Sequence, residues 1–161
     1  MLILLIEGLK SALLISFYKP LSWCIKCIKI EMYTKTTKNI NITVNPYFLE
    51  DQSEPEDQHF VWAYQVTINN MSKESVQLKN RYWKIIDSNG TKQEVKGEGV
   101  VGEQPILNPG EKFEYTSGTP LSTPSGFMEG YYEMETKNGS KFEASIPQFS
   151  LDSPFTSSRL N

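Results

Sequence analysis

Phe60, Trp62, Tyr64, Val66 and Ile68 alternate with Val61, Ala63, Gln65, Thr67 and Asn69, and no other feature restricts the fold of this chain as tightly. Successive side chains of a strand point to opposite faces, so a period of two writes one apolar face and one mixed face. The same pattern recurs downstream and upstream. Ile40, Ile42 and Val44 alternate with Asn41, Thr43 and Asn45, and Phe113 and Tyr115 share a face of a short strand. Tyr132, Met134 and Thr136 alternate with Tyr131, Glu133 and Glu135, after which Asn138-Gly139 turns the chain into Phe142, Ala144 and Ile146. Asn-Gly between two alternating runs is the strongest short hairpin signal. Val76 and Leu78 open another strand whose phase slips before Trp83 and Ile85, which predicts a bulge or a passage between sheets near Asn80. Ser88-Asn89-Gly90 then predicts a tight turn into a strand over residues 92–96. No helical periodicity is sustained from residue 32 onward. About seven short strands at turn-punctuated intervals predict an all-β antiparallel β-sandwich of immunoglobulin or fibronectin III type. Beyond Ile146, Pro147 and Pro154 predict an extended tail, and residues 156–161 a flexible end.

At 161 residues the chain has the length of one domain with a single core. Its net charge of −3 hides an asymmetry: residues 1–31 hold four lysines against two glutamates, leaving 12 Lys and Arg against 17 Asp and Glu from residue 32 onward. So acidic a body is a poor electrostatic match for nucleic acid, whose affinity is built on neutralised phosphates.

Residues 1–31 differ in kind, being rich in Leu and Ile and containing both cysteines. A membrane span needs about 20 largely apolar residues, and Glu7, Lys10 and Lys19 interrupt this stretch. A charge near mid-membrane costs roughly 2.5–3.5 kcal/mol. Neither a basic region before the apolar stretch nor a small-residue cleavage site after it is clear. An upstream start codon chosen in error, a peripheral or anchoring helix and a packed element all fit this extension, and Met32 opens the composition of the globular part. No stable membrane insertion is expected for residues 32–161. Cys24 and Cys27 form a lone C-x-x-C; zinc needs two more ligands, while the body has no cysteine and one histidine, His59.

Gly97, Gly99 and Gly102 spell G-x-G-x-x-G, a spacing that advertises a dinucleotide or phosphate site. In a dinucleotide fold the third glycine opens a helix whose free N–H groups hold the pyrophosphate. Here Pro105 and Pro109 follow, and neither has the N–H that a helix interior needs. Glu98 and Glu103 add negative charge beside the supposed anion site. Two readings survive: a nest of amides for an anion without a helix, or glycines supplying positive φ and close approach in a long inter-strand connection. The two glutamates favour the second.

Glu50, Asp51, Glu54, Glu56 and Asp57 crowd one segment. Hard cations take oxygen ligands, but the spacing lacks the central glycine of a calcium loop, so Glu54, Glu56 and Asp57 are weak metal candidates in a solvated loop. Cobalt wants imidazole or thiolate, and His59 alone does not suffice. General acid–base work most often uses histidine, and no serine sits in a nucleophile elbow, so no catalytic residue is assigned. Asn41, Asn70, Asn89 and Asn138 begin Asn-x-Ser/Thr triplets, read as polar turn and strand residues without a signal peptide. For an interaction surface the candidates are Tyr82, Trp83, Phe113, Tyr115 and Phe127, because aromatic anchors dominate interfaces, although a sandwich core draws on the same aromatics.

MYTKTTKNINITVNPYFLEDQSEPEDQHFVWAYQVTINN, LKNRYWKIIDSNG, VKGEGVVGEQPILNPGEKFEYTSGTPLSTPSGFMEGYYEM and FEASIPQFSL together resemble the bacterial ApaG family, from Met32 to about Phe155. The resemblance begins only near Met32, in line with the start-site reading. It implies a fibronectin III-like sandwich over residues 32–155. It also implies a loose link to cobalt and magnesium tolerance, and gene neighbourhoods shared with a diadenosine tetraphosphate hydrolase and an rRNA methyltransferase. Related domains in eukaryotic F-box proteins and in a DNA-polymerase-delta-interacting protein look like protein-interaction modules. For Gly97, Gly99 and Gly102 the family carries a pyrophosphate-binding idea. The expectation is a cytoplasmic, non-catalytic binding module without cofactor, acting on a protein partner. The alternative is a sensor of phosphate, pyrophosphate or nucleotide at the glycine loop. Neither the partner nor the oligomeric state is encoded in any spacing.

Overall fold

A computed structural model describes residues 32–155. The readings of residues 1–31, Cys24 and Cys27 among them, and of residues 156–161 lie outside the described residues. Nine strands follow in order: β1 Tyr33–Thr37, β2 Ile40–Phe48, β3 Phe60–Asn70, β4 Val76–Asp87, β5 Lys92–Glu98, β6 Ile106–Leu107, β7 Lys112–Leu121, β8 Ser125–Thr136 and β9 Lys141–Asp152. Two single-turn 3-10 helices, Glu50–Gln52 and Pro55–Asp57, lie between β2 and β3. One antiparallel sheet has the order β1-β2-β3-β7, and the other β5-β4-β8-β9, with β6 also paired to β4. They face each other as a β-sandwich. Among the described residues no helix is long and apolar enough to cross a membrane.

β1 and β6 add to the strands that alternation predicts, and both are formed by pairing. β1 (YTKTT) has no apolar rhythm of its own. It is held residue for residue against β2 through a turn in which Lys38 and Asn39 take φ of +47° and +61°. Such positive angles at both central residues match the twist of a two-residue hairpin.

Alternation fills the interior as written. Ile40, Ile42 and Val44 from β2 meet Trp62, Tyr64, Val66 and Ile68 from β3, and the other sheet answers with Leu78, Trp83, Tyr132, Met134 and Phe149. Each fully buried large apolar side chain contributes about 1.5–3 kcal/mol. Asn70 is buried as well, with its polar atoms satisfied. Its Nδ2 donates to the carbonyls of Glu74 (2.8 Å) and Leu107 (2.9 Å), and its Oδ1 accepts the Ser72 N–H.

Two bulges set which side chains face in. In the β4–β8 ladder the register shifts between Leu78 and Asn80, where the phase slip was expected. In the β8–β9 ladder Gly130 opposes Ile146 and Met128 opposes Phe149, so Pro147 and Gln148 stand against Glu129 alone. This corrects the expectation of a tail after Ile146, for β9 continues to Asp152. A bulge is where a strand tolerates proline, because no ladder bond is asked of its missing N–H.

Candidate functional site

The outer face of the β5-β4-β8-β9 sheet presents aromatic rings in matched rows. Opposite pairs across β4 and β8 are Tyr82 with Tyr131, Lys84 with Glu129, and Ile86 with Phe127, and on β5 Lys96 and Glu94 stand opposite Tyr82 and Lys84. The Tyr82 and Tyr131 rings stack with centroids 4.9 Å apart and planes 28° from parallel. Lys96 Nζ lies 5.2 Å from the Tyr82 ring centroid, within cation–π range. Lys84 Nζ donates to Glu129 Oε1 at 3.0 Å. Beside the stack a shallow hollow of about 310 Å3 is lined by Lys35, Tyr82, Glu129, Tyr131, Ser145 and Gln148.

Electrostatics keeps this platform neutral at its centre. Desolvation, and then the nearby Glu94, raise the Tyr82 phenol above its ordinary value. Desolvation followed by Glu143 and Glu133 does the same to Tyr131. The hydrogen bond to Glu129 raises Lys84 and fixes its charge. Two uncharged rings ringed by Lys84, Lys96, Glu94 and Glu129 are suited to holding an apolar or aromatic side chain of a partner at the centre and its charges at the rim.

Of the five aromatic candidates, Tyr82 and Phe127 lie half-buried on this face. Trp83 and Tyr115 do not: they are 2% and 7% exposed and belong to the core. Phe113 packs on that core from within. The bulge before Asn80 is the reason, since it puts Arg81, Trp83 and Ile85 in phase toward the interior and Tyr82 outward. Tyr115 Oη and Tyr132 Oη meet at 2.5 Å in the interior. Burial holds both phenols well above their ordinary value. Tyr131 and Lys96 are the residues that sequence reasoning missed. Both lie on predicted strands, and the register that brings them to Tyr82 was the missing information.

The glycine loop is built around one arginine. Arg81 Nη1 donates to the carbonyls of Glu98 (2.9 Å) and Gly99 (2.8 Å). A Cβ on Gly97 would lie 3.0–3.1 Å from the guanidinium atoms, so this glycine seats the guanidinium. Gly99 has φ +56°, and a Cβ there would fall 2.1 Å from the Glu103 carbonyl oxygen. Val100 and Glu103 exchange N–H···O bonds of 2.8 and 2.9 Å around Val101 and Gly102, whose φ values are +44° and +82°. Val100 is thereby driven into the core. The N–H groups of Gly99, Val100 and Glu103 are committed to carbonyls, which leaves less of the loop to cradle an anion.

Glu54, Glu56 and Asp57 are exposed around the second 3-10 helix. Glu54 bridges the backbone of His59 in both directions. Among the described residues no group of three or more His, Cys, Asp or Glu side chains converges to hold a metal ion.

A family model described as the ApaG domain matches residues 50–136. The chain is similar to Protein ApaG of Parvibaculum lavamentivorans, 64% identical over 123 residues that cover 76% of this chain and 95% of that protein. It is similar also to Protein ApaG of Paramagnetospirillum magneticum, 60% identical over 130 residues, 81% of this chain and all of that protein. The ApaA protein of Bordetella pertussis, so named in its crystal structure, superposes with a TM-score of 0.70 at 44% identity, covering 77% of this chain and 98% of that one.

Proposed function

Given that this chain belongs to the ApaG domain family, we propose that it is a cytoplasmic, non-catalytic binding module that docks another protein on the outer face of its β5-β4-β8-β9 sheet. The Tyr82–Tyr131 stack carries the reading. Two rings on one face, paired by register and bordered by charge, give large contact area at little entropy cost, and such anchors dominate interface energies. The raised phenols of Tyr82, Tyr115, Tyr131 and Tyr132 move away from neutrality, so they are not poised to trade a proton at neutral pH. Any link to cobalt and magnesium tolerance then runs through the partner.

Quantitative affinity capture from the native cell tests this, using residues 32–161 with and without the paired substitutions Tyr82→Ala and Tyr131→Ala. The partner is expected to be lost from the double variant while calorimetry shows an unchanged fold. Retention of the same partner by the double variant would remove the docking face. Saturable binding of pyrophosphate by the unaltered protein would move the function to Gly97, Gly99 and Gly102.

A further inference from the structure

The strand β7 ends its sheet, and its outward groups can be identified from the ladder. Val61 gives its N–H to the Ser53 hydroxyl (2.9 Å) and receives the Leu49 N–H on its carbonyl (2.9 Å), both on the β2 side. The opposite pair, Val61 with Pro120, therefore exchanges no ladder bond. At the other end the Asn70 N–H reaches the Glu111 carbonyl (3.0 Å). Bonded and non-bonded pairs alternate in an antiparallel ladder. Tyr115, Ser117 and Thr119 thus spend their backbone groups on β3, while Glu114, Thr116 and Gly118 point N–H and C=O away from the sheet. Pro120 falls in this outward set, where a missing N–H costs nothing.

Other edges are guarded. β5 carries Lys92, Glu94, Lys96 and Glu98 along its length, and charge of this kind discourages added strands. β1 and β9 tie to each other, with Tyr33 Oη and Ser150 Oγ 2.9 Å apart and the Ser145 N–H on Thr37 Oγ1. By contrast, residues 116–119 of β7 are Thr-Ser-Gly-Thr, uncharged and small, and among the described residues no hydrogen bond joins β5 to β7.

A second observation lies on the same flank. Arg81 points into the sandwich beside β5 and is partly buried, and its charge acts on the phenols of Tyr64 on β3 and Tyr115 on β7. Among the described residues no carboxylate lies within ion-pair distance of it. Nη1 is occupied by two carbonyls, and a guanidinium has five donors in a fork suited to carboxylate.

We propose that β7 accepts an added strand from a partner protein, an extended acidic segment whose inward Asp or Glu pairs with Arg81. The main-chain bonds to Glu114, Thr116 and Gly118 supply affinity, and the carboxylate at one alternate position supplies selectivity. This surface lies apart from the Tyr82 face and stands or falls separately from it.

Selection of phage-displayed random decapeptides on the whole protein is the test. The best peptide is then synthesised with its acidic residue kept or changed to Gln. Selected peptides are expected to share one Asp or Glu and to lack proline beside it. The Gln version binds about tenfold more weakly, the loss of one charge-assisted contact. Bound peptide slows amide exchange at Glu114, Thr116 and Gly118, and Thr116→Pro abolishes binding without lowering the unfolding midpoint. Should that variant unfold, the two peptides on unaltered protein decide. Failure to select any peptide, equal binding of the Gln version, or a homodimer sealed through β7 in the absence of peptide would overturn the proposal. Protection confined to the Tyr82 face would overturn it too, while leaving the docking-face reading intact.

Discussion

The two flanks of the sandwich are closed by different means. On the β1–β9 flank the edge strands reach across to each other: Tyr33 bonds Ser150, Thr37 accepts the Ser145 N–H, and the Tyr33 ring lies 6.1 Å from that of Phe149. On the β5–β7 flank the edges stay apart and the tie is internal. Arg81 pins the carbonyls after β5, while the Tyr115–Tyr132 hydroxyl pair joins the two sheets inside the core. An edge tied to its neighbour through side chains leaves little room for an added strand, whereas an edge held from behind keeps its outward row open. Stability and binding capacity are therefore divided between the flanks.

The largest effect that can challenge this contrast is Gly99→Ala. The added Cβ meets the Glu103 carbonyl at 2.1 Å in a left-handed backbone, and the expected loss is about 3 kcal/mol or more in urea unfolding. A loss below about 1 kcal/mol would mean that the Arg81-held loop is not a rigid part of the flank. Next comes alkaline pH. Tyr115 and Tyr132 have folded values raised above the ordinary 10.0. Their contribution is therefore fully present below pH 10 and is lost as pH rises beyond it, because the unfolded phenols ionise first. Unfolding midpoints followed against tyrosinate absorbance should fall above that pH, and Tyr115→Phe with Tyr132→Phe should flatten the fall. Tyr33→Phe, which removes one half-buried hydroxyl bond of the cross-linked flank, should cost about 1 kcal/mol; no change at all would put the closure of that flank in the ring packing alone. Smallest and opposite in sign is Val101→Asn. A β-branched residue at φ +44° stands where asparagine is at home, so the substitution should stabilise by about 0.5 kcal/mol in the same assay.

Much of the fold was legible because its signals are local. The Asn138-Gly139 hairpin, the turn at residues 88–90 and the slip near Asn80 each depend on a few neighbouring residues, and each is present. Prolines after Gly102 likewise excluded a helix there. Less of the candidate site was legible. Of the aromatic candidates, Tyr82 faces outward while Trp83 and Tyr115 lie in the core, and alternation alone does not mark Tyr131 as the partner of Tyr82. β1 escaped notice because its five residues have no apolar alternation, and Pro147 read as an end of structure because a facing bulge cannot be seen from one strand.

By itself, then, the sequence determined the class of element, the turns and the two-sheet architecture. It could do so because torsional preference and period-two patterning are written within a few residues. Only the tertiary structure decided which aromatic faces outward, which edge stays open and that Arg81 holds the glycine loop. Those outcomes depend on register between strands distant in the chain, where a shift of one residue sends every side chain to the opposite face. The slip before Asn80 is written in the sequence, but the pairing of Tyr82 with Tyr131 and Lys96 across three strands is not.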